Sequence, residues 1–183
     1  MKSRRSAREA SLRVLYELEF GNSDIDETFD RTVADMELSE EMSQYAQKVV
    51  AGIIDMKSNL DQNIAGYVRD YDYSRLAAID RNILRVAAYE LLFIPEIPPA
   101  VSINEAIEIS KKYSTAESGK FINGVLGRVL KDSDKVNWDP KKAPSEERIV
   151  VESVVVQEET VEEGSEDAKI AQRFGQWTIK SSD

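Results

Sequence analysis

The sequence predicts an all-α fold: a bundle of about six or seven helices, followed by an acidic and largely disordered C-terminal tail. Three observations predict it. Apolar residues recur at spacings of three and four through residues 1–139, capping signals stand where helices would begin, and no strand-like pattern occurs before residue 148. The connections between periodic stretches are short, which favours antiparallel neighbours.

The first helix opens on Ser6-Ala7-Arg8-Glu9, a capping-box pattern. It carries Ala10, Val14, Leu15 and Leu18 on one stripe and ends at Gly21-Asn22. A short second helix uses Ile25, Phe29 and Val33. The third begins at Ser39, places Glu40 and Glu41 against the positive end of its dipole, and runs unbroken through Met42, Ala46, Val49, Ile53, Met56, Leu60, Ile64 and Tyr67. After a polar break, Leu76, Ile79, Ile83, Val86 or Ala87, and Leu91 mark a fourth helix, alanine-rich and therefore central, which Pro95, Pro98 and Pro99 stop. Two further helices open on the capping boxes Ser102-Ile103-Asn104-Glu105 and Ser114-Thr115-Ala116-Glu117, and the last carries Phe121, Ile122, Val125, Leu126, Val129 and Leu130. Within it, Asn123-Gly124 reads as a site of close helix packing.

Composition changes at Pro140. Residues 1–139 hold 18 basic and 24 acidic side chains, and residues 140–183 hold 6 and 10. Two units are expected, a helical domain over 1–139 and an acidic extension over 140–183. In the extension, 149–156 is β-branched and suits an edge strand, 158–167 is an acidic run, and Phe174 and Trp177 form an aromatic end that can dock. Such a segment buries too little surface to offset an ordering cost of about 1 to 2 kcal/mol per residue.

The chain of 183 residues contains no Cys and no His. That excludes disulfides, thiolate or imidazole metal sites, cysteine nucleophiles and Ser-His-Asp triads, so neither a metal nor a cofactor is expected and binding is favoured over catalysis. No apolar run reaches the roughly 18 residues of a membrane span. The N-terminal stretch is amphipathic, with Glu9, Glu17 and Glu19, rather than a secretory signal, and a cytoplasmic location is expected.

Net charge is −10, yet Lys2, Arg4, Arg5, Arg8 and Arg13 crowd the first thirteen residues against Glu9 alone. Cations at a helix N-terminus oppose its dipole, so stability does not account for them, whereas an anionic partner does. On a helical wheel Arg5, Arg8, Leu12 and Tyr16 share an arc of about 80°. Phosphate-binding arginines beside a stacking aromatic suit single-stranded RNA. A solvated, frayed terminus with Tyr16 covering the core fits the same residues.

Three stretches go beyond generic helix. They are Arg4-Arg5-Ser6-Ala7-Arg8-Glu9 with Leu15-Tyr16, then Asp80-Arg81-Asn82-Ile83-Leu84-Arg85-Val86-Ala87-Ala88-Tyr89-Glu90-Leu91, and Ser102-Ile103-Asn104-Glu105-Ala106-Ile107-Glu108-Ile109 followed by Lys120-Phe121-Ile122-Asn123-Gly124-Val125-Leu126. In this order and spacing they closely resemble the NusB family of bacterial transcription antitermination factors, over residues 3–131. The resemblance implies a helical fold of two small subdomains that binds the boxA element of nascent ribosomal RNA together with NusE, joins elongating RNA polymerase with other Nus factors, and has no catalytic centre. It implies RNA contacts at Lys2, Arg4, Arg5, Arg8, Tyr16, Lys120 and Phe121, and a NusE surface at Glu90 and Glu117. Ser6 departs from the pattern, standing where many members are basic, and the extension has no counterpart. Structural readings stand beside these: Glu90 as a carboxylate paired with an arginine, Asn104 and Glu105 as capping and inter-helix groups, Phe121 as core. The alternative function is an RNA-binding or scaffold module like the N-terminal domain of ribosomal RNA cytosine methyltransferases, without their catalytic Cys or dinucleotide loop. Monomer and homodimer are both open.

Overall fold

The computed structural model describes residues 3–21, 23–69 and 71–139, together with the backbone of 160–162 and 178–180. Seven α-helices occupy the described residues: α1 (Arg4–Phe20), α2 (Ile25–Asp35), α3 (Glu40–Asp55), α4 (Lys57–Tyr67), α5 (Ala78–Phe93), α6 (Pro99–Tyr113) and α7 (Ala116–Lys131). Short 3-10 turns follow α4 and α7, at Tyr73–Arg75 and Asp134–Asn137. In the extension, β1 (Thr160–Glu162) and β2 (Thr178–Lys180) pair in parallel, adding two short strands to the helical expectation. Lys2, the proposed edge strand at 149–156, the aromatic pair Phe174 and Trp177 and the expected disorder of the tail lie outside the described residues.

The alanine-rich α5 is central, as its composition predicts, and packs on α1, α3, α4, α6 and α7. Ile83, Leu84, Val86, Ala87, Ala88 and Leu91 of α5 are all buried in a single hydrophobic core. On one side α1 packs on α2 and α3, and on the other α6 packs on α7, so α1 and α5 form the seam between two helical groups.

Several boundaries differ from the sequence reading. The single third helix is two, because Met56 leaves the helical region (φ −118°, ψ 21°) between α3 and α4. No Gly or Pro marks the break, and Leu60 and Ile64 stay buried beyond it while α4 packs on α5 and α7. Tertiary packing therefore bends a chain whose apolar spacing runs on. Two capping boxes are not caps. Ser3 is the N-cap of α1, placing Ser6 inside the helix, while Glu9 instead accepts from Lys112 Nζ (2.8 Å) and Tyr113 Oη (2.9 Å) of α6. Pro99 opens α6 at N1, where its missing N–H costs nothing, placing Ser102 inside that helix and freeing Glu105 for α1. In α7 the cap is Thr115, one residue later than expected, whose Oγ1 accepts the Ser118 N–H at 3.0 Å. Close approach of α6 and α7 falls at Gly119, where a Cβ would lie 3.0 Å from Ser110 Oγ; at Gly124 the nearest atom would be 3.6 Å away, an ordinary contact.

Candidate nucleic-acid interface

The arginines of α1 meet the rest of the molecule at a buried polar junction. Arg8 is buried, and its Nε donates to Glu90 Oε1 of α5 at 2.6 Å. The Tyr45 hydroxyl of α3 donates to the same oxygen, and Ser102 Oγ of α6 donates to Oε2 at 2.7 Å. Four helices thus converge on one carboxylate with no exposed surface. A buried carboxylate is tolerated only when paired and hydrogen-bonded, and three donors meet that requirement. Burial works against the Arg8 charge, but Glu90 outweighs it and raises the arginine above its ordinary value. Burial and the neighbouring Glu90 push the Tyr45 hydroxyl up, so it stays a neutral donor. Behind the junction, Lys135 Nζ donates to the carbonyls of Glu90 (2.9 Å), Ile94 (2.5 Å) and Ile97 (2.6 Å), satisfying the C-terminal end of α5.

Arg5 lies one turn nearer the N-terminus and faces outward. Its Nε and Nη2 donate to Glu105 Oε2 (2.8 Å) and Oε1 (2.7 Å) of α6, and its side chain remains 45% exposed. The hydrogen bonds to Glu105 raise its pKa above the ordinary arginine value. The Arg4 guanidinium sits 4.8 Å from the centroid of the Tyr45 ring, which Arg8 also approaches at 5.9 Å. Much of the local charge is balanced internally: Arg8 serves Glu90, while Arg5 divides its donors between Glu105 and solvent.

The remaining predicted residues lie elsewhere. Tyr16 is about 16 Å farther along α1 from Arg5, given the rise per residue. It is 42% exposed, with its ring centroid 5.0 Å from that of Phe20, itself 69% exposed. Both line an apolar groove of about 530 Å³ with Leu12, Ile79 and Tyr113. Phe121 is buried in the core, Lys120 beside it is half-buried, and Glu117 is exposed on the first turn of α7. The structure therefore brings Arg4, Arg5, Arg8 and Glu90 together, whereas Tyr16 stands in the groove and Glu117, Lys120 and Phe121 on α7.

Sequence reasoning missed Tyr45 and Lys135 and read Glu105 only as a capping or inter-helix group. It also passed over Asp80, a buried residue of α5 whose Oδ2 accepts from Ser118 Oγ at 3.0 Å while Oδ1 has no partner among the described residues. A second polar cluster joins α1, α4 and α5. Arg85 Nε and Nη2 each donate to Asp61 at 2.7 Å, Arg85 Nη1 donates to Glu19 (3.1 Å), and Arg81 also pairs with Glu19. Burial would raise Asp61 and Glu19, but these donors outweigh it and hold both carboxyls below their ordinary values. The available signal was Arg81, Asn82 and Arg85 in a helix that is mostly apolar.

Among the described residues, no helix is long and apolar enough to cross a membrane, and no group of His, Cys, Asp and Glu is arranged to hold a metal ion. The sequence model of the NusB family matches residues 5–131. A transcription antitermination protein NusB of Pelotomaculum thermopropionicum is 38% identical over 133 residues, covering 73% of this chain and 92% of that protein. One from Desulfitobacterium hafniense is 41% identical over 135 residues, with 73% and 91% covered. Among solved structures, T. maritima NusB superposes with a TM-score of 0.67 at 36% identity, covering 80% of this chain and 96% of its own. Another, of antitermination factors NusB and NusE in complex with dsRNA, gives 0.64 at 28% identity, with 70% and 96% covered. A family match over well over half of the chain, relatives of this identity and a shared arrangement of helices together establish that the chain belongs to the NusB family.

Proposed function

We propose that this protein is a cytoplasmic transcription antitermination factor without catalytic activity, which binds boxA-type single-stranded RNA of nascent ribosomal RNA transcripts together with NusE and joins the elongating RNA polymerase with other Nus factors. The observation that carries the reading is the outward half of the Arg5 fork, held at the first turn of α1 in a chain of this family. Guanidinium edges and helix N-terminal N–H groups are natural phosphate ligands. Arg4, Arg5 and Lys2 form the RNA arm, with Lys120 contributing from α7. Arg8, clamped to Glu90, acts from inside by fixing the helix that carries the arm. The groove at Tyr16 and Phe20 suits the protein partner, since it offers exposed aromatic surface. Residues 1–139 are the binding domain and 140–183 an appendage, which fits relatives nearly fully covered by three-quarters of this chain.

The test is RNA affinity of the full chain with and without NusE, using a single-stranded boxA oligonucleotide and a duplex of the same sequence. Cooperative binding of RNA and NusE is expected. Arg5→Glu should weaken binding and flatten the log–log salt dependence by about 0.7 per lost phosphate contact. Unchanged affinity of Arg5→Glu at low salt would sink the arm as the RNA site.

A further inference from the structure

Building on the reading that the first turn of α1 holds RNA, we propose that Glu105 is a positioning residue for that contact: it grips one edge of the Arg5 guanidinium and so presents the other to a phosphate. A guanidinium carries five N–H donors in one planar fork. Glu105 takes the Nε proton at 2.8 Å and one Nη2 proton at 2.7 Å. Both Nη1 protons and the second Nη2 proton remain, and one Nη1 proton together with that Nη2 proton forms an edge that can hold a phosphate in the same two-pronged manner.

Glu105 is itself anchored. Its side chain is 15% exposed against 45% for Arg5, and its Oε2 lies 3.9 Å from Arg8 Nη1, the arginine that Glu90 fixes in the interior. The plane of Arg5 is thus set through Glu105 by the body of the protein. An unheld arginine on a first turn would sweep many rotamers and be repelled by the positive end of the helix dipole. Held, it meets a phosphate with its side-chain entropy already surrendered. The Glu105 charge repels phosphate, but the anion docks on the far edge of the fork, where water and salt screen it.

Four full-length proteins decide the matter: the unaltered chain, Glu105→Gln, Arg5→Lys and the double variant, each measured for affinity to a single-stranded boxA oligonucleotide and for thermal unfolding. Glutamine keeps one acceptor oxygen but places an amide N–H₂ against the guanidinium, so the two-pronged grip is lost. Glu105→Gln is expected to weaken RNA binding about threefold to tenfold, the scale of one immobilised side chain. In the Arg5→Lys background it should have no further effect, because an ammonium has no plane to orient. Tighter binding by Glu105→Gln would overturn the proposal, since the carboxylate would then be competing with RNA. No change while Arg5→Lys weakens binding would overturn it too, as would equal weakening in both backgrounds, which assigns Glu105 to the fold. Full affinity in Arg5→Lys and in an added Arg5→Ala would instead remove the arm itself as the RNA site, and the positioning role with it.

Discussion

Removing the Arg8 guanidinium would leave the Glu90 carboxylate inside the protein with two hydroxyl donors and without its paired guanidinium. Arg8→Ala should therefore destabilise the fold by about 3 to 5 kcal/mol, measured by urea denaturation, because an uncompensated buried charge remains. Arg5→Ala, which removes a side chain that is itself half-exposed, should cost under about 1 kcal/mol by the same measurement. The contrast separates two arginines that the sequence presents as equals. The cluster itself was legible, since five cations on thirteen residues of an acidic chain stand out by counting. Which arginine turns inward was not, because their partner carboxylates lie 82 and 100 residues away. For the same reason Glu90, read as a partner-surface residue or as a paired carboxylate, has no exposed surface and holds Arg8. Tyr45 carries no local signal in an amphipathic helix, and its role exists only where α3 meets α5.

At the scale of elements, α3 and α5 approach closely at Gly52. A Cβ on Gly52 would lie 2.0 Å from the Tyr89 hydroxyl and 2.3 Å from the ring carbon bearing it, so the whole ring would have to leave its buried position. Gly52→Ala should lower stability by about 1 to 3 kcal/mol in denaturant titration, the usual cost of overpacking. Tyr89→Leu added to it should cost less than the sum of the two changes, since both act on one contact. The helices were legible from their spacing, and α5 was identified as central from its alanines. Their ends were less so. Glu9 and Glu105 complete capping boxes on paper, yet both are drawn off to cross-link α1 and α6, and a local pattern cannot report a competing distant partner. The turn at Met56 was hidden because α3 and α4 continue one apolar spacing while following different neighbours.

For the whole molecule, charge is divided between residues 1–139 at net −6 and residues 140–183 at net −4. A chain ending at Asp139 should keep its helical circular dichroism and cooperative unfolding, because the core among the described residues lies between Ala7 and Val129. It should also bind boxA RNA more tightly than the full chain at low salt and equally well above physiological salt, as expected for charge repulsion screened over about 8 to 10 Å. Loss of cooperative unfolding would show that the two parts are not separable. The link from Arg5 to Glu105 has a further bearing, on the order in which the chain is made. Arg5 is synthesised 100 residues before Glu105, the residue that fastens it. At about 5 to 20 residues per second, translation leaves the arginines unlatched for roughly 5 to 20 seconds on every nascent copy. During that interval Arg5 has no partner to shape it, and the closing of α6 onto α1 is the event that converts the arginines into an ordered binding surface.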